Sequence, residues 1–80
     1  MKTVRVQYFA LLREQRGQAD ETLPTAAATP AGLYGELRAQ HRFTLPAERL
    51  RVAVNGEFVP WDAPLCEGDT LAFIPPVAGG

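Results

Sequence analysis

Leu50-Arg51-Val52-Ala53-Val54-Asn55-Gly56-Glu57-Phe58-Val59 is the stretch on which the fold turns. Asn-Gly between two apolar runs is the strongest short-range signal for a two-residue type I′ hairpin, because both central residues must take positive φ. Such a turn fixes the register: Val54 opposes Glu57, Ala53 opposes Phe58, and Val52 opposes Val59. Opposed residues share a face. If Val52 and Val54 point into a core, Ala53 and Phe58 point away from it.

Working outward, Glu67-Gly68-Asp69 reads as a turn into a last strand, Thr70-Leu71-Ala72-Phe73-Ile74. Leu71 and Phe73 form its inward pair, Ala72 and Ile74 its outward pair. Pro60-Trp61-Asp62-Ala63-Pro64 interrupts the pattern between hairpin and last strand. Upstream, residues 43–49 read as a loop with one or two apolar anchors. Before it, Thr29 and Pro30 are a good N-cap and first residue for a helix carrying Leu33, Tyr34 and Leu37 as its apolar stripe. Glu36, Arg38 and Gln40 face water. Gly32 and Gly35 each cost about 1 kcal/mol relative to Ala, so packing must hold this helix. At the N-terminus residues 2–9 alternate, with Val4, Val6 and Tyr8 inward and Thr3, Arg5 and Gln7 outward. Ala10 to Arg16 is a short helix stopped by Gly17. Glu21-Thr22-Leu23 is a second strand ended by Pro24.

Strand, strand, helix, then two or three strands give an α+β domain, with one main helix packed on one face of a mixed sheet. Placing the first and last strands side by side at its centre, a step taken from known folds rather than from the pattern, makes this the β-grasp, ubiquitin-like arrangement. The division is 1–74 for the domain and 75–80 for a flexible C-terminal tail.

Composition removes several function classes. The 80 residues carry a net charge of −1, with arginines scattered rather than clustered, so no basic field exists to hold a phosphate backbone. No nucleic acid and no membrane are expected, since no run approaches the roughly 20 apolar residues of a bilayer span. A single cysteine permits neither an intramolecular disulfide nor a cysteine-held metal site, and a cytoplasmic setting follows as the default. Cys66 reads as a small buried hydrophobe and His41 as a cation at the helix end. Asp62, Glu67 and Asp69 read as solvated turn formers, and Trp61 as either a cover on the core or a residue of a partner rim. No phosphate loop and no nucleophile–base pair is present, so the body offers no catalytic residues of its own.

What remains is the end of the chain, Pro75-Pro76-Val77-Ala78-Gly79-Gly80. Two prolines make a stiff base and two glycines a thin tip, which fully extended reach about 20 Å from the body. Two terminal glycines arise by chance in roughly one chain in 200. Beside the tail, the outward residues Ala53, Phe58, Ala72 and Ile74 make an apolar patch of the kind that docks a partner. Phe58 and Ile74 are therefore expected to be largely exposed in the isolated chain.

Tyr8 to Glu14 with Gly17, Ala53-Val54-Asn55, Gly68-Asp69 and the ending from Phe73 to Gly80 resemble the small subunit of molybdopterin synthase, the MoaD-type ubiquitin-like sulfur carriers. The likeness runs through the whole chain in order, and its most specific piece is the Pro-Pro-Val-x-Gly-Gly ending. The resemblance implies that an E1-like partner adenylates the Gly80 carboxylate with ATP and Mg²⁺, no cofactor being bound by the chain itself. Sulfide then displaces AMP to leave a thiocarboxylate, which donates sulfur to cyclic pyranopterin monophosphate inside the large synthase subunit. Two loaded carriers serve one dithiolene, within a heterotetramer. It implies too that Gly79 keeps the tail narrow, and that Phe58 and Ile74 meet both partners. Two other readings share the Gly-Gly chemistry: a carrier for the thiazole branch of thiamin synthesis, and a modifier conjugated through Gly80 to other proteins.

Overall fold

The computed structural model describes residues 1–76. The chain runs β1 (Lys2–Tyr8), α1 (Leu11–Arg16), β2 (Asp20–Thr25), α2 (Pro30–His41), a single 3-10 turn (Ala47–Arg49), β3 (Arg51–Val54), β4 (Glu57–Val59) and β5 (Thr70–Ile74). The strands form one five-stranded sheet in the order β2-β1-β5-β3-β4. β1 and β5 are parallel and central, and every other pairing is antiparallel. That is the expected α+β β-grasp architecture.

The hairpin register is the one its turn demands: Val52 faces Val59, Ala53 faces Phe58 and Val54 faces Glu57. Asn55 and Gly56 both take positive φ, 53° and 88°, as a type I′ turn requires. Asn55 also ties the hairpin to β5. Its Nδ2 donates to Asp69 Oδ1 at 2.9 Å, and its Oδ1 accepts from the Thr70 amide at 3.0 Å.

Alternation sorts the sheet into two faces. Val4, Val6, Tyr8, Val52, Leu71 and Phe73 are buried with Leu12 of α1 and Leu33, Tyr34 and Leu37 of α2. Each such side chain contributes about 1.5–3 kcal/mol when fully removed from water. Thr29 caps α2 by accepting from the Gly32 amide at 3.2 Å, with Pro30 at the first turn. Tyr34 anchors the connection that follows, donating its hydroxyl to the Leu45 carbonyl at 2.6 Å.

Two elements differ from expectation. β2 continues through Pro24 to Thr25, because it lies at the sheet's edge, where a proline without an amide donor is tolerated. The loop over residues 43–49 holds the Ala47–Arg49 turn and buries Phe43 against Tyr34 and Tyr8.

Candidate functional site

The sheet face away from the helices decides what this body can do. Its two halves differ in chemistry. Toward β1 and β2 it is polar: Thr3, Arg5 and Gln7 alternate outward, and Arg5 pairs with Asp20 at 2.6 Å across the strands. Both partners are about half-exposed, so that pair adds little stability. Toward β5, β3 and β4 the face becomes apolar. Ala72 lies beside Ala53, and Ala53 beside Phe58, in one row across three strands. In the next row Ile74 lies beside Arg51.

Phe58 is 56% exposed, a large aromatic held out of the core by the hairpin register. Ile74 is only half-buried rather than largely exposed. It sits between strand neighbours and borders a shallow groove with Phe58, Arg51, Pro75 and Pro76. Neither side chain packs under α2, so the outward assignment of both stands while the exposure expected of Ile74 does not.

Other large apolar side chains are exposed just past the end of β1, and the sequence reading passed over them. Phe9 (43% exposed) follows the Tyr8–Phe73 pair by one residue, which brings it level with Ile74. Leu11, at 38%, opens α1 just beyond. The signal was present in the alternation: with Tyr8 turned inward, Phe9 is turned outward. Arg51 was also passed over. Its guanidinium carbon lies over the Phe58 ring, 4.0 Å from the centroid, a cation–π arrangement on the outer face.

The tail begins where these residues meet. β5 ends at Ile74; Pro75 is half-buried and Pro76 exposed. Val77, Ala78, Gly79 and Gly80, the other tail residues singled out from sequence, lie outside the described residues.

The remaining candidates take structural places. Cys66 is exposed rather than buried, because its neighbour Leu65 takes the core position. Its amide donates to Asp69 Oδ2 at 2.8 Å, and the Glu67 carboxylate accepts from the Thr3 amide at 3.0 Å. These carboxylates hold the turn before β5. Trp61 covers one end of the core, stacked on Phe73 with ring centroids 5.9 Å apart. His41 ends α2, but burial first, and then the Arg16 charge, push its imidazole below the usual histidine range. The neutral form is thereby favoured at neutral pH, contrary to the expected cation. Among the described residues no cluster of His, Cys, Asp and Glu could hold a metal ion, and no helix is long and apolar enough to cross a membrane.

The two most perturbed groups, Tyr8 and Glu21, meet away from the face. Glu21 accepts both Arg16 Nε at 2.8 Å and Arg16 Nη2 at 2.9 Å, and also the Tyr8 hydroxyl at 2.6 Å. The Arg16 hydrogen bonds, outweighing burial and aided by Tyr8, hold its carboxyl down at about 2. Burial and the same carboxylate push the Tyr8 phenol above its ordinary range. The triad locks edge strand β2 and helix α1 onto β1.

The body is of the ubiquitin-like β-grasp class, with an apolar outer patch where the chain leaves its central strand β5. The chain belongs to the ThiS family, which it matches over residues 6–80. The molybdopterin synthase sulfur carrier subunit of Escherichia coli is 38% identical over 96% of this chain and 99% of its own length. That of Mycobacterium tuberculosis is 35% identical over the whole of both chains. Among solved structures, a Pyrococcus furiosus protein provisionally named molybdopterin converting factor, subunit 1, superposes with a TM-score of 0.81. It is 29% identical, over 96% of this chain and all of that one. A chain of the BexX/CysO complex of Amycolatopsis orientalis has a TM-score of 0.69 and 28% identity, covering 96% of this chain and 99% of its own.

Proposed function

We propose that this chain is the sulfur carrier subunit of a molybdopterin synthase, loaded and unloaded at its C-terminal carboxylate. The observation that carries the reading is full-length similarity to two carrier subunits of that name, 38% and 35% identical, through the Gly79-Gly80 ending. The chemistry suits that end of the chain. An ionised carboxylate resists nucleophiles, so an E1-like partner activates Gly80 with ATP and Mg²⁺, releasing pyrophosphate and leaving an acyl adenylate. A sulfide equivalent displaces AMP. The resulting thiocarboxylate bonds through its sulfur to a carbon of cyclic pyranopterin monophosphate within the large synthase subunit. Water then cleaves the acyl–sulfur bond, leaving the sulfur on the pterin and returning Gly80 to the carboxylate.

In this reading the body docks and the tail reaches. Phe58 and Ile74 contact the large subunit and the activating partner in turn, with Phe9 and Leu11 widening the contact. Pro75 and Pro76 aim the segment, and Val77, Ala78 and Gly79 thread a channel too narrow for larger side chains. A reducing cytoplasm keeps the thiocarboxylate and the exposed Cys66 thiol from oxidation.

Mass spectrometry of the chain after incubation with the activating partner, ATP and a sulfur donor tests the assignment. Exchange of oxygen for sulfur adds about 16 Da, and deletion of Gly80 abolishes the gain. Loading that persists without Gly80 refutes it. Higher-mass adducts joined to lysines of other proteins, in place of a free thiocarboxylate, would favour a protein modifier.

A further inference from the structure

The docking patch has one feature that an apolar interface does not explain. Arg51, the first residue of β3, stands between Ile74, its partner in β5, and Phe58, over whose ring its guanidinium lies. It is exposed, and Glu48 of the 3-10 turn borders the same groove. The ion pairs among the described residues are Arg5–Asp20 and Arg16–Glu21, so neither Arg51 nor Glu48 is engaged in one. Among the described residues the Arg51 side chain donates no hydrogen bond to any other, so its five N–H groups have no partner there.

A partner that covers Phe58 must cover Arg51 too. A guanidinium stripped of water without an acceptor is costly, whereas one that meets a carboxylate bidentately is among the strongest polar contacts an interface can make. A guanidinium whose central carbon lies 4.0 Å from the ring centroid uses the π cloud for its charge and still has N–H groups to offer another acceptor. We propose that Arg51 is the specificity determinant of this face: the large synthase subunit that accepts this chain places an Asp or Glu carboxylate on the Arg51 fork, above Phe58. A surface offering only apolar side chains there is rejected, because it buries an unpaired charge. The proposal rests on the docking role given to the face above.

The test is titration calorimetry of the full-length chain against the large synthase subunit from the same organism, between about 50 and 500 mM salt. Met replaces Arg with an apolar stem of similar reach. R51M is expected to weaken binding about 10- to 100-fold and to flatten its salt dependence, while melting at the wild-type temperature. R51E weakens it further, and replacing one acidic residue of the large subunit with Arg restores affinity to R51E. If R51M binds within about twofold of wild type at every salt concentration, the proposal is overturned. It also falls if E48Q weakens binding as much as R51M does, since Glu48 rather than the partner would then be the carboxylate that matters. F58A separates the two readings. Weak F58A with intact R51M removes only the role of Arg51, whereas wild-type affinity in F58A removes the docking face itself.

Discussion

Replacing Glu21 with Gln should cost stability at neutral pH and nothing in strong acid. Glu21 faces Val6 across the β1–β2 pair, close to Tyr8, and receives three charge-assisted hydrogen bonds from Tyr8 and Arg16. Its carboxyl is held at about 2 against an ordinary 4.5. At about 1.4 kcal/mol per pH unit that displacement caps the contribution of the charge near 3 kcal/mol. The carboxylate is only 17% exposed, so solvent screening takes a minor share, but a Gln amide keeps some of the hydrogen bonds. A loss of about 1–3 kcal/mol at pH 7 follows, lowering Tm by about 4–8 °C per kcal/mol in a domain of this size. Because the folded value is depressed, the stabilisation is complete above the unfolded value of 4.5 and disappears as pH falls through about 2. Urea unfolding followed by the fluorescence of Trp61 measures both proteins across that range. The gap between wild type and variant should be full at neutral pH and close on acidification. A gap of the same size at every pH, or none at pH 7, would refute this account of the triad.

Three further outcomes are expected. Gly35→Ala, at an exposed α2 position where an added Cβ meets nothing within 4 Å, should stabilise by about 0.5–1 kcal/mol in the same unfolding assay. Asn55→Ala loses hydrogen bonds to Asp69 and Thr70 and leaves a Cβ residue at a φ of 53°. It should cost about 1–3 kcal/mol, and amide exchange should speed up in β3 and β4 before the rest of the sheet. His41 should titrate by NMR below its ordinary 6.5. Below that value the unfolded chain binds the proton first, so stability falls as pH drops. Arg16→Gln, by removing a repelling charge, should raise the midpoint.

The β-grasp was legible because each segment's local pattern agreed with the whole. Asn55-Gly56 determined the hairpin register, and alternation in β1, β3 and β5 separated Val52, Leu71 and Phe73 from Phe58 and Ile74 before any coordinate was known. The ending is read from the sequence alone, in two prolines and two glycines. Tertiary structure alone decided matters that turn on which strand neighbours which. Pro24 can lie within β2 because that strand is at the edge, and Ile74 is half-covered because Arg51 and Pro75 flank it. Leu65 rather than Cys66 faces the core, and Trp61 lies on Phe73. His41 loses its expected charge because burial and Arg16, distant in sequence, meet it in space. Arg51 reads from the chain as one more scattered arginine. Only the pairing of β3 with both β4 and β5 sets its charge on the Phe58 ring at the root of the tail, since strand neighbours across a sheet are chosen by long-range packing rather than by local sequence.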